Sequence, residues 1–178
     1  MIRVLDEALV NKIAAGEVIE KPMNVVKELI ENSLDAGADN ISIEYSEKLI
    51  KVEDNGKGMS RGDLLLCVKR HATSKILTFT DLKSVQSLGF RGEAMSSIAA
   101  VSDLSITSKE KESLEGNFVK VEFGFLKDNK TVGCSSGTKV EVRDLFHNTP
   151  VRRKFLDQKE GERVLEMVMR FALGNEGV

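Results

Sequence analysis

The most restrictive feature of the sequence is the stretch from Pro22 to Gly37. Proline at a first helical turn and glycine just past a last one bracket a helix. Between them Val25, Val26, Leu29, Ile30, Ser33 and Leu34 recur at helical spacing and fall on one side. That side must be covered by another layer, so the helix cannot stand alone. The opposite side carries Asn24, Glu28, Glu31, Asn32 and Asp35, three carboxylates and two amides with no lysine or arginine. Like charges at i,i+3 and i,i+4 repel, and an ordinary solvated face mixes signs. An acid-and-amide face is expected to look onto a cation or a reacting water.

What covers the helix follows directly. Ile41, Ile43 and Tyr45 alternate, Ser46-Glu47-Lys48 forms a polar turn, and Ile50, Val52 and Asp54 alternate on the way back, the pattern of a hairpin. Asp54 shares its strand face with Ile50 and Val52, so its carboxylate points inward, where an unpartnered acid is costly. Asp54-Asn55-Gly56-Lys57-Gly58 also reads as a plain turn. An inward acid, with two glycines close behind it, fits the approach of a planar ligand that donates an amine hydrogen.

Ser60 is placed to cap a helix through Leu64, Leu65, Leu66 and Val68. That helix gives way to the polar string Arg70-His71-Ala72-Thr73-Ser74-Lys75, whose hydroxyls and lysine suit phosphate oxygens but also suit any loop. Leu88-Gly89-Phe90-Arg91-Gly92-Glu93-Ala94 opens into a helix carrying Met95, Ile98 and Val101. Free N–H groups and the helix dipole converge at such a start, which favours an anion. Neither a Walker A loop nor a G-x-G-x-x-G turn after a strand occurs, so both familiar nucleotide motifs are excluded.

Alternation then returns at Leu104 and Ile106, at Val119, Val121 and Phe123, and at Val140 and Val142 after Gly137-Thr138, with polar links from Lys109 to Gly116 and Lys127 to Gly137. Short connections imply an antiparallel meander. A last helix carries Val164, Leu165, Val168 and Phe171 and ends near Gly174. Residues 5 to 20 look helical but broken at Ala14-Ala15-Gly16; packing of Leu9, Ile13 and Val18 on a core and a mobile arm are both compatible with them. The expected architecture is α+β, a two-layer sandwich with helices on one face of a mixed, mostly antiparallel sheet.

Composition narrows the partners. At 178 residues, one domain with a real core is expected. A net charge of -2 gives no whole-chain attraction for nucleic acid, and only the local cluster Arg152-Arg153-Lys154, with Lys69-Arg70, offers one. Such short clusters more often make local ion pairs. No apolar run approaches the roughly 20 residues of a membrane span. Cys67 and Cys134 form neither a metal spacing nor a disulfide framework, and the chain reads as cytosolic and reducing.

In order, the acid helix, the Asp54-to-Gly58 turn, the glycine loop and Gly137-Thr138 resemble the motifs of the GHKL ATPase superfamily (the Bergerat fold). Ile13-Ala14-Ala15-Gly16-Glu17-Val18, His71-Ala72-Thr73-Ser74-Lys75, Gly89 to Ala94, and Asn148-Thr149-Pro150 with Arg152-Arg153-Lys154-Phe155 are similar to MutL-type DNA mismatch repair proteins. The resemblance implies that Glu28 is the general base and that Asn32 holds magnesium on the phosphates of ATP. It implies that Asp54 accepts the adenine amine, with Gly56, Gly58 and Met59 about the base. Gly89, Phe90, Arg91, Gly92, Glu93 and Ala94 would wrap the phosphates, with Thr73, Ser74 and Lys75 nearby and Thr138 supporting the adenine. Met95 stands where the family usually has leucine, an apolar residue of similar volume.

The family further implies ATP hydrolysis that switches a homo- or heterodimer, weak contact with DNA, a mismatch-recognition partner of the MutS type, and a cytoplasmic, nucleoid or nuclear setting. A DNA-binding or scaffold module without hydrolysis is the alternative reading. Family members continue into a second subdomain that supplies a lysine to the γ-phosphate. Residues 1–178 therefore read as a single nucleotide-binding subdomain that turns over slowly and is mainly monomeric, with residues 1–20 as a mobile dimerisation arm.

Overall fold

A computed structural model describes residues 7–70, 72 and 92–178, and no ligand or ion is part of it. The elements follow as α1 (Glu7–Val18), α2 (Pro22–Asp35), β1 (Ile41–Ser46), β2 (Leu49–Asp54), α3 (Arg61–Cys67), α4 (Ala94–Val101), β3 (Asp103–Lys109), β4 (Gly116–Glu122), β5 (Phe125–Val132), β6 (Gly137–Arg143), α5 (Pro150–Lys154) and α6 (Glu160–Gly174). The strands form one six-stranded sheet in the order β1-β2-β6-β3-β4-β5. Every pairing in it is antiparallel.

The expected meander is corrected in two places. β6 does not follow β4 at the edge but returns between β2 and β3, joining the first hairpin to the later strands. The link from Lys127 to Gly137 is not all loop. β5 occupies most of it as one edge of the sheet, and from Lys127 to Thr131 it is wholly polar, as an open edge favours.

Register builds the core row by row. Ile50, Val142, Leu104 and Val121 lie across four adjoining strands, and Val52, Val140, Ile106 and Val119 form the next row. All eight are buried under the helices. The third row is Asp54, Thr138, Ser108 and Asn117, so one end of the same face turns polar.

α2 and α4 lie on this face, and α4 is sunk so deep that Ile98, Ala99, Ala100 and Val101 are all buried. α2 begins as its sequence dictates. Pro22 takes the first turn, the Lys21 N–H donates to Asn24 Oδ1 at 2.9 Å, and Asn24 N–H returns a bond to the Lys21 carbonyl at 3.0 Å. It ends at Gly37, whose positive φ of 71° allows Gly37 and Ala38 N–H to close on the Leu34 and Ser33 carbonyls. Ser60 caps α3 by accepting the Asp63 N–H at 3.2 Å.

α1 is also corrected, since it runs through Ala14-Ala15-Gly16 without a break. Ala15 and Ile19, not Ile13, enter the core, and Ile13 is 50% exposed. On α6 Val164 is buried while Leu165 faces solvent.

Candidate nucleotide site

Between α2 and the polar end of the sheet lies a cleft of about 1060 Å³. One wall is the acid-and-amide face of α2. Asn24, Glu28, Glu31, Asn32 and Asp35 all line it, as their helical phase predicts. The face carries no lysine or arginine of its own, but one reaches it from beside it. Lys27 bends along the helix and places Nζ 3.1 Å from Glu31 Oε1 and 3.9 Å from Glu28 Oε1. Its long stem allows this reach from a neighbouring helical position. Glu31 is only 6% exposed and needs that partner, because a buried carboxylate left alone is strongly unfavourable.

The far wall is the polar row of the sheet. Asp54 Oδ1 accepts the Gly56 N–H at 2.9 Å and the Thr138 N–H at 3.3 Å. Its Oδ2 lies 2.9 Å from Ser33 Oγ, which is also 3.0 Å from the Leu29 carbonyl. A carboxylate offers about four lone-pair sites. These contacts occupy three and leave one on Oδ2 for a further donor.

Behind the row, Ser108 on β3 is fully buried and ties β6 to the turn that precedes α3. Its Oγ accepts the Met59 N–H at 2.9 Å and lies 3.0 Å from the Gly137 carbonyl and 2.9 Å from Thr138 Oγ1. With the Ser108 proton on Gly137, Thr138 is the donor to Ser108 and keeps its lone pairs for the cleft.

Gly58 and Met59 line the cleft, and Gly58 has a φ of 73° that favours glycine. A Cβ there would overlap the Lys109 carbonyl, so the turn closes against the end of β3 only with glycine. Gly56 is different. It is buried beside Ala36 and Asp54 and lies behind the wall, serving through its N–H bond to Asp54.

Gly92, Glu93 and Ala94 reach the cleft at the start of α4, and Arg70, in the turn after α3, stands 3.8 Å from Glu93. Thr73, Ser74, Lys75, Gly89, Phe90 and Arg91 lie outside the described residues, as do residues 1–6 of the proposed arm. Cys67 also lines the cleft, and burial, then the charge of Asp63, pushes its thiol up to about 12.

Three contributors escaped the sequence reading. Ser33 and Ser108 are polar residues in otherwise apolar phases, and that anomaly was their signal. Lys27 had no periodic signal, since only its flexible stem brings it round.

The basic run divides in space. The Arg152 guanidinium packs on Gly16, while Arg153 is exposed with Nη1 3.3 Å from His147 Nδ1, and Lys154 is exposed. The triplet therefore does not present one continuous basic face.

This cleft and sheet define a nucleotide-binding fold. Residues 20–148 match the histidine kinase-, DNA gyrase B- and HSP90-like ATPase family, and the chain belongs to that family. Within it, the chain is 50% identical over 182 aligned residues to the DNA mismatch repair protein MutL of Desulforamulus reducens, covering 99% of this chain and 28% of that protein. It is likewise 50% identical to MutL of Caldanaerobacter subterraneus subsp. tengcongensis, covering 99% of this chain and 31% of the relative. The Aquifex aeolicus MutL ATPase domain complexed with ADP superposes with a TM-score of 0.70 at 40% identity, covering 90% of this chain and 58% of that one. The chain thus spans about a third of the length of these curated relatives.

Proposed function

We propose that the cleft binds ATP with magnesium and hydrolyses it, as the nucleotide-binding part of a MutL-like mismatch repair protein. The observation that carries this reading is the pairing of two walls. Asp54 holds one unused acceptor site at the polar end of the sheet, and Glu28 and Asn32 face the same cleft one helical turn apart.

In this reading the adenine amine donates to Asp54 Oδ2, and the base rests over Gly58 and Met59 beside Thr138. The triphosphate then runs along α2 toward Gly92, Glu93 and Ala94, where the dipole at the start of α4 favours an anion. Glu28 takes a proton from the attacking water. Lys27, with Glu31, holds that carboxylate's surroundings.

Asn32 supplies a hard oxygen suited to magnesium, which keeps several waters and needs only one or two protein ligands beside phosphate. Among the described residues there is no cluster of three acidic, histidine or cysteine ligands. Bound there, the ion would neutralise phosphate charge as it transfers.

Calorimetric titration with ATP, with and without magnesium, tests the reading. Binding heat that is larger with magnesium is expected, and no heat in either condition sinks it. For the whole protein we propose that nucleotide occupancy governs dimerisation and contact with DNA and a MutS-type partner, within the cytoplasm or nucleoid. No helix among the described residues is long and apolar enough to cross a membrane. Residues 1–178 are proposed as one subdomain, with residues 1–20 as its dimerisation arm.

A further inference from the structure

Two strings, Ile13 to Val18 and Arg152 to Phe155, take no part in the proposed chemistry, yet the fold brings them together. The last turn of α1 contains no basic residue, although the free carbonyls there carry partial negative charge. Arg152, from α5, supplies the missing cation. Its guanidinium lies so close over Gly16 that a Cβ on residue 16 would overlap Cζ and both terminal nitrogens. Gly16 sits inside a regular helix, where glycine is normally unfavourable, so its value here is the room it leaves.

The contact is deep. Arg152 Nη1 is buried and has no hydrogen-bond partner among the described residues. A buried donor in that condition is costly, so packing must hold the guanidinium where it lies. Beside it a small cavity of about 310 Å³ is lined by Gly16, Glu20, Lys21, Arg152, Phe155 and Leu156.

The held turn leads straight to the nucleotide cleft. Glu17 and Val18 line that cleft, Ile19 is anchored in the core, and Lys21 caps α2. We propose that Arg152 is a positioning residue that latches the last turn of α1 through Gly16 and so fixes one wall of the cleft. Because the latch acts on the wall and not on Glu28, it governs nucleotide affinity more than the hydrolytic step. This inference rests on the ATP reading of the cleft.

The test compares R152A, R152K, G16A and the double variant R152A/G16A with the unaltered chain, by two readouts. The first is hydrogen exchange without nucleotide at the Ile19 amide, which donates to the Ala15 carbonyl at 2.8 Å. R152A and G16A are each expected to speed exchange about tenfold, and the double variant no more than either, since both remove one contact. R152K keeps the charge and stem without the fork, and it is expected to recover part of the protection. It also serves as the folded comparison where R152A does not fold.

The second readout is ATPase kinetics, where KM is expected to rise about tenfold with kcat within about twofold. Unchanged exchange in R152A and G16A overturns the latch, as do additive effects in the double variant. A fall in kcat at constant KM overturns its assigned role in affinity. If the unaltered chain shows no ATP binding or turnover, the reading of the cleft fails, and exchange alone decides the latch.

Discussion

Ser33 Oγ lies 2.9 Å from Asp54 Oδ2 and ties the acid-faced helix to the end of β2. The bond spans 21 residues of sequence and joins the element that carries Glu28 and Asn32 to the carboxylate proposed to receive the base. In the proposed reading, this contact sets the spacing between the two ends of the nucleotide. Asp54→Ala removes the acceptor and is expected to abolish ATP binding. Ser33→Ala leaves the carboxylate but frees it to turn, and about a tenfold weaker affinity is expected, in line with one hydrogen bond. Calorimetry on both variants checks the order; weaker binding in Ser33→Ala than in Asp54→Ala would show that the helix contact, not the acid, holds the base.

Glu28 stands at the other end of the same cleft, with Lys27 Nζ 3.9 Å away. A general base acts on the transition state and contributes little to ground-state binding. Glu28→Ala is expected to leave ATP affinity within about twofold while turnover falls by at least about a hundredfold. Titration and steady-state turnover on one preparation separate the two effects. Equal loss of affinity in Glu28→Ala and Asp54→Ala would reverse the assignment of roles.

The sequence made α2 legible because its signals were local, with Pro22 at the start, Gly37 at the end and a period in between. The inward phase of Asp54 was legible for the same reason, since strand alternation continues from Ile50 through Val52. What stayed hidden depends on distant partners. Gly16 reads as a helix breaker until Arg152, far along the chain, is seen to use its missing side chain. β5 has no apolar alternation because it forms an uncovered edge. Phe146 is completely buried at a φ of 63°, in a turn where no period announces it. The choice of Glu28 over Glu31 and Asp35 came from resemblance, since all three share the cleft wall. Only burial separates Glu31 from the other two.

Ser108 offers a test of the polar row independent of nucleotide. It is fully buried and takes part in contacts with Met59, Gly137 and Thr138. Ser108→Ala leaves the Met59 N–H without an acceptor and the Thr138 hydroxyl without its neighbour. A loss of about 1–3 kcal/mol is expected, the usual cost of stranding buried polar groups. Urea unfolding followed by circular dichroism measures it. A change below about 0.5 kcal/mol would mean that water replaces the hydroxyl and that the row is not held by Ser108.

The last expectation concerns Cys67, whose thiol burial pushes up to about 12, with the charge of Asp63 adding to the effect. Its ordinary value is 9.0, so the folded state keeps the proton at a pH where the unfolded chain has already released it. Stability from this group is complete below 9.0 and is lost as pH rises from 9.0 toward 12, because the unfolded state then binds fewer protons. The slope approaches about 1.4 kcal/mol per pH unit at most. Cys67→Ala is expected to flatten the decline in unfolding free energy between pH 9 and pH 11, measured against the unaltered chain. The same protonation keeps Cys67 poorly nucleophilic, since only the thiolate attacks. Iodoacetamide at pH 8 is therefore expected to modify Cys67 far more slowly in the folded chain than in urea, as peptide mass spectrometry will read. Equal rates in the two states would place the thiol in an open, ordinary setting and remove the basis for the alkaline loss of stability.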